Sequence, residues 1–268
     1  MNTSLKIAQL SDCHLFAEQQ GLHFGANVYR NLVTVLTAIA NNVEIDLVIF
    51  TGDLSQDHSV ASYQLFVQAV KDSQLRQPLY FLAGNHDEPE QLTRYLNSPP
   101  ISQQKLIESD YWQLLLLNSK SDSPAGVVEQ ASLNQIAELK TDKHSLLFMH
   151  HHPIDVGFGI DQHGLINKTE FWQQIADKNA KGAVIKAVAC GHVHRAFQFD
   201  KPIHDHSVKL FTCPATSVEF DNGSDDFSVT EQGAGYQILT LENTGEISCE
   251  LIYFPANFAD QMSNIVND

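Results

Sequence analysis

LKIAQLSDCH, residues 5–14, sets an apolar run against a carboxylate and an imidazole two positions apart. Residues 5–10 read as a buried strand, and Asp12 and His14 stand at its exit. Neither group is buried cheaply without a partner. The two are therefore either a local hydrogen-bonded pair or one corner of a shared cation site that distant parts of the chain must complete.

The same grammar recurs downstream. Residues 46–51, 79–83, 111–118, 145–149 and 184–190 read as short buried strands. Between the first pair of strands, Val28, Leu32, Val35, Leu36 and Ile39 recur at helical spacing. Between the next pair, Tyr63, Phe66, Val67 and Val70 do so behind a Ser59 cap, which makes two β-α-β units. Further helices are expected around Leu133, Ile136 and Leu139 and around Phe171, Trp172 and Ile175. Strand-like alternation follows at 236–241 and 247–254. The expected fold is mixed α/β with two sheets between helix layers, in a single domain spanning 1–268 with a polar tail at 255–268. Residues 218–232, acidic and aperiodic, are expected to be a surface loop.

Each strand ends in similar chemistry: Asp12 and His14 after the first, Asp53 in "GD" after the second, Asn85, His86 and Asp87 in "GNHD" after the third. Later come "HHHP", with His150, His151 and His152, and "GHVH", with His192 and His194. The carboxyl ends of parallel strands in an open α/β sheet converge on one edge, so these residues can meet although they span the chain. Glycines 52, 84 and 191 suit the sharp exits. Two carboxylates, an amide oxygen and four imidazoles suit Mn²⁺, Fe or Zn²⁺. They exceed the needs of one ion and fit two ions about 3.5–4 Å apart sharing a carboxylate. Cys13 reads as a buried spacer, and His23, His58, His144, His204 and His206 read as loop or solvated histidines.

Composition limits the alternatives. The net charge of −16 over 268 residues argues against nucleic acid as the ordinary partner, because phosphate-backbone binding draws on clustered Lys and Arg. No apolar run approaches the ~20 residues needed to cross a bilayer, and a cytoplasmic location is expected. Cys13, Cys190, Cys213 and Cys249 lack any CxxC pairing, so neither a disulfide framework nor a zinc finger is expected.

Taken together, "DCHLF", "TGDLSQD", "LAGNHDE", "MHHHP", "DQHGL" and "CGHVH" resemble the calcineurin-like metallophosphoesterases over about residues 5–195, and within them the class III cyclic-nucleotide phosphodiesterases that act on 3′,5′-cyclic AMP. The resemblance implies a four-layer α-β-β-α sandwich and a dinuclear centre of iron or manganese, with zinc as an alternative. One ion would be held by Asp12, His14, Asp53 and His194, the other by Asp53, Asn85, His151 and His192. The H-x-P pattern selects His151 among its neighbours. His86 would be the catalytic histidine near the leaving oxygen, with Asp53 and Asp87 also in the catalytic group and Asp87 orienting His86. His14, Asp53, Asn85, His86 and His194 would contact substrate. Asp161 and His163 either contact the nucleotide or close their loop. The expected reaction is in-line attack of a metal-bridging hydroxide on cyclic AMP, giving 5′-AMP. A broad-specificity phosphodiesterase, a phosphomonoesterase and an inactive metal-binding scaffold stand as alternatives. Cys13 and Asn118 depart from the family pattern, where Thr and Asp are usual.

Overall fold

The computed structural model describes residues 4–182, 184–223 and 228–255. The polar tail expected from 255 therefore lies, beyond Pro255, outside the described residues.

Strand β1 (Ser4–Leu10) leads to a hairpin of β2 (Leu22–His23) and β3 (Ala26–Asn27), then to α1 (Val28–Asn41). β4 (Leu47–Phe50), α2 (Val60–Asp72), β5 (Leu79–Phe81), α3 (Pro89–Tyr95) and β6 (Ile101–Ser102) complete the first half. The second half runs β7 (Leu106–Glu108), β8 (Trp112–Leu116), α4 (Gln130–Glu138), β9 (His144–Met149), α5 (Lys168–Asn179) and β10 (Ile185–Cys190). It closes with β11 (Phe197–Ile203), β12 (His206–Thr212), β13 (Gly235–Glu242) and β14 (Ile247–Tyr253). Ser59 caps α2 as the sequence suggested, its hydroxyl accepting from the Ser62 amide at 3.2 Å.

Two six-stranded sheets result, in the orders β14-β13-β1-β4-β5-β6 and β11-β12-β10-β9-β8-β7. β1, β4 and β5 pair in parallel in one, and β8, β9, β10 and β12 in the other. Between the sheets lie Ile7, Ile49, Leu114, Phe148, Ala189, Phe211 and Leu239. The outer face of the first sheet packs on α1 and α2 through Leu10, Phe50, Leu36 and Phe66, and that of the second on α4 and α5 through Leu147, Val188, Ile136 and Phe171. The architecture is thus α-β-β-α. Residues of the central strands alternate between the two cores. Ile7 and Ile49 face the other sheet while Ala8 and Phe50 face the helices, so these strands are apolar on both sides.

The β2–β3 hairpin, α3, the short strands β6 and β7, and the β11–β12 pair escaped the sequence pattern. Residues 218–232 also differ from expectation at their start, because Val218, Glu219 and Phe220 are buried.

Candidate metal centre

The parallel strands of both sheets deliver their carboxyl ends to one edge. Asp12 and His14 follow β1, Asp53 follows β4, Asn85 and His86 follow β5, His150 follows β9, and His192 and His194 follow β10. The exits are tied to one another: the Asp12 amide donates to the Gly52 carbonyl at 2.9 Å and the His14 amide to the Asp53 carbonyl at 3.1 Å. Asp12, His14, Asp53, His192 and His194 all hold left-handed backbone, with φ between 46° and 67°. Side chains other than glycine rarely adopt this conformation, at about 1–2 kcal/mol each, and its concentration on these residues marks a functional site. Of the three glycines read as sharp exits, only Gly52 has positive φ. Gly84 and Gly191 serve by close approach: a Cβ at 84 would lie 2.1 Å from Asp53 Oδ1, and one at 191 would lie 2.0 Å from Ser11 Oγ.

The donor atoms form two adjoining groups. In the first, His14 Nε2 and His194 Nε2 are 3.0 Å apart, with Asp12 Oδ1 3.5 Å from the latter and Asp53 Oδ2 3.7 Å from the former. In the second, His150 Nε2 lies 3.0 Å from Asn85 Oδ1, 3.1 Å from His192 Nδ1 and 3.3 Å from Asp53 Oδ2. Asp53 faces both groups. The opposite ring nitrogens fix the tautomers: His14 Nδ1 donates to Gln56 Oε1 at 2.8 Å, His194 Nδ1 to the Val218 carbonyl at 2.9 Å, and His150 Nδ1 to the Thr51 carbonyl at 2.8 Å. A neutral ring held this way presents an Nε2 lone pair, and lone pairs converging at hydrogen-bond distance need a cation between them. The donor set therefore fits metal ions.

Electrostatics agree. Burial holds His14 and His192 well below the ordinary imidazole range and His194 at about 3, so these rings are neutral as ligands must be, and it holds the neighbouring His151 low as well. Burial favours protonated Asp53, but the charge and hydrogen bond of His150, with His14 and His86, keep that carboxyl well below its usual range. His150 is the exception: the charge and hydrogen bond of Asp53 overcome burial and raise it to about 9, so its ring carries a proton that a metal ion held there would have to displace. Burial, reinforced by the charge of Asp53, lifts Asp12 and Asp87 to about 7.

A family model described as "Calcineurin-like phosphoesterase" matches residues 5–196, the segment that carries every one of these donors. The chain belongs to the calcineurin-like phosphoesterases. A protein of Colwellia psychrerythraea named "Probable cyclic nucleotide phosphodiesterase" is 44% identical over 94% of this chain and 95% of its own. The "3′,5′-cyclic adenosine monophosphate phosphodiesterase CpdA" of Vibrio vulnificus is 33% identical over 92% of this chain and 89% of its own. Among solved structures, a dimetal phosphatase from Danio rerio shares the fold at TM-score 0.59 and 11% identity, covering 93% of this chain and 99% of its own. Purple acid phosphatase PPD1 from yellow lupin does so at 0.62 and 12%, covering 98% and 55%.

The geometry places several expected site residues differently, although His151 stays grouped with His150 and His192 as a candidate donor. His150, not His151, points its Nε2 at Asp53, Asn85 and His192. His151 has Nδ1 2.9 Å from Ser119 Oγ and Nε2 3.1 Å from the Pro124 carbonyl, so both of its nitrogens are engaged by protein. Asp87 does not orient the His86 ring: its carboxylate accepts from the amides of Asp53, Leu54, Ser55 and Gly84 and so binds the β4 and β5 exits together. Asp161 closes its own loop, accepting from Val156 and Gly157 amides at 2.8 and 2.7 Å and lying 3.1 Å from His152 Nε2. His163, by contrast, lines the cavity above the donors. His23, expected in a loop or in solvent, ends strand β2 beside the donors. It stacks on His14 at 4.9 Å and 11° and lines the same cavity. His58 is half exposed and stacks on His86 at 6.1 Å. Cys13 is fully buried, and burial pushes its thiol well above the usual range, which makes it an inert spacer. Asn118 is exposed and accepts from the Lys120 amide.

Sequence reasoning missed Gln56 and Ser119, whose partners are ring nitrogens. It also missed Lys120, whose ammonium donates to the Asn85 carbonyl at 2.9 Å. Gln56 sat within "TGDLSQD" and was available as a signal; Ser119 and Lys120 carried none.

Proposed function

We propose that this chain hydrolyses 3′,5′-cyclic AMP to 5′-AMP at a dinuclear centre, acting as one metallophosphoesterase domain. The observation that carries the reading is the pair of donor groups sharing Asp53, set beside relatives named for cyclic-nucleotide phosphodiesterase activity. One ion would be held by Asp12, His14, Asp53 and His194, the other by Asp53, Asn85, His150 and His192. Two divalent ions, iron or manganese in the first instance, would supply charge neutralisation of the phosphodiester and acidification of bound water.

The chain's own residues do the rest. The His86 amide donates to Asp53 Oδ1 at 2.8 Å, which sets the His86 side chain at the mouth of the site, its ring edge-on to His14 at 5.0 Å. From there it can donate to a phosphate oxygen or to the departing O3′, the step at which charge develops. Asp87 holds the Asp53 and Gly84 backbones in register, so that the carboxylate, the Asn85 amide and the His86 ring arrive together. Gln56, Val218 and Thr51 keep the ligand rings in the tautomers that present Nε2. His14, Asp53, Asn85, His86, His163 and His194 line a cavity of about 350 Å³, of a size for a nucleotide-like ligand.

The test is product analysis on purified protein reconstituted with Mn²⁺ or Fe²⁺, with 3′,5′-cyclic AMP, 2′,3′-cyclic AMP, a glycerophosphodiester, an aryl phosphodiester and AMP compared side by side. Preferential formation of 5′-AMP from the first supports the proposal. Turnover of the others without it would keep the centre and overturn the substrate, and a loaded but inert protein would point to a scaffold.

A further inference from the structure

The β2–β3 hairpin breaks a local rule beside the donors. His23 pairs with Ala26, so Phe24 and Gly25 form a two-residue turn, and both have positive φ, 46° and 81°. A turn of this hand favours Asn-Gly or Asp-Gly, because a bulky side chain is strained in its first position. Phe24 occupies that position with 48% of its surface exposed and lines the cavity that holds His14, Asp53 and His194. Neither the turn nor core burial accounts for an aromatic ring there. A local inconsistency of this kind is expected where a side chain serves a ligand.

Its surroundings specify the ligand. Phe24 stands edge-on to His23 at 4.7 Å and 82° and to Phe220 at 6.2 Å and 79°. Phe220 lies flat against His194 at 4.0 Å and 5°, and Arg195 pins its carbonyl at 3.1 Å and pairs with Glu219 at 3.0 Å. Ile160 and Pro124 add apolar surface to the cavity. The cavity thus joins an anion-binding end, Asp53 with its cation donors, Asn85 and His86, to an aromatic end built on Phe24 and Phe220. A molecule with a phosphodiester at one end and a flat heteroaromatic ring at the other matches this division.

We infer that Phe24 is a base-stacking residue, held over the cavity by the strained turn, and that it gives this site its preference for nucleotides over phosphodiesters lacking a base. The inference rests on the cyclic-nucleotide reading above. Stacking of a base on an aromatic ring is sequence-tolerant and favours the larger purines, so Phe24 selects for the presence and size of the base.

The experiment compares kcat/KM for 3′,5′-cyclic AMP and for a ribose 3′,5′-cyclic phosphate without a base, in the Mn²⁺-loaded wild type and in Phe24→Ala, Phe24→Asn and Phe24→Trp. The Ala and Asn variants should lower the preference for cyclic AMP over the base-free diester about tenfold, mostly through KM, and Trp should restore it. Phe24→Asn should also keep or raise the Tm, since Asn-Gly relieves the turn. An unchanged preference in Ala and Asn, or a loss that Trp does not restore, overturns the assignment. So does a marked fall in Tm for Phe24→Asn, which would make the ring structural. If the wild type cleaves the base-free diester and leaves cyclic AMP untouched, it is the cyclic-nucleotide reading that fails, and the inference with it.

Discussion

Asp53 shows how much one residue must do. Oδ1 accepts the His86 amide, Oδ2 lies 3.3 Å from His150 Nε2 and 3.7 Å from His14 Nε2, and the backbone is left-handed at φ 57°. Asp53→Ala should therefore lose metal along with turnover. His86→Ala should lower kcat by roughly a hundredfold or more with metal content unchanged, a loss of the size expected for a removed proton donor. Elemental analysis beside kinetics separates the two, and equal metal loss in both would refute the division. The histidine triplet gives a sharper test. His150→Ala should cut bound metal from two ions toward one, whereas His151→Ala should keep both ions and lower stability by about 1–3 kcal/mol through the orphaned Ser119 hydroxyl. The reverse pattern would reinstate His151. Asp12, His14, Asp53, Asn85, His192 and His194 of the proposed ligand set are readable in the sequence because each sits in a spaced motif at a strand exit. Three consecutive histidines offer no such spacing, and only the backbone path after Met149 decides which ring turns inward.

At the level of elements, the strand exits work because loops brace them. Asp161 fastens the segment after the histidine triplet by accepting from His152, Val156 and Gly157. Burial alone would raise its pKa, but these hydrogen bonds outweigh it and hold the carboxyl at about 2. Its stabilising contribution is thus complete above the ordinary carboxylate value of 3.8 and is lost as pH falls toward about 2. Asp161→Asn should destabilise the protein at pH 6 by about 1–2 kcal/mol, and the gap to wild type in urea titrations should shrink as pH is lowered below 4. A gap independent of pH would contradict the role. Strands β1, β4, β5, β8, β9 and β10 and the four longer helices are legible because each combines an apolar run or a helical period with a cap or turn signal. The β2–β3 hairpin was not, since its strands have two residues each and Phe24-Gly25 lacks a hairpin signature. The β11 strand "FQFDKPI" contains Pro202 and an exposed polar face, and α3 is a seven-residue helix with one buried apolar side chain, too little for a period.

For the whole molecule, the fold gathers cation donors at one sheet edge of a chain whose formal net charge is −16. That field opposes an anionic substrate at long range, while the two proposed ions would dominate at contact. Raising ionic strength from about 0.01 M to 0.15 M shortens the Debye length from roughly 30 to 8 Å, so kcat/KM for cyclic AMP should rise severalfold. A fall would show that local positive charge governs approach. The α-β-β-α layering was readable from strand and helix order alone, but substrate choice was not, because loops that follow no period build the cavity wall. Phe220 illustrates this: it lies in a segment read as surface, yet is buried against His194. The central claim is that two ions sharing Asp53 make one catalytic unit. Its direct measurement is titration of chelator-stripped protein with Mn²⁺, following 5′-AMP release from cyclic AMP against ions bound per chain. Activity should emerge as the second ion binds and level off at two; full activity at one bound ion, or with none, would contradict the account.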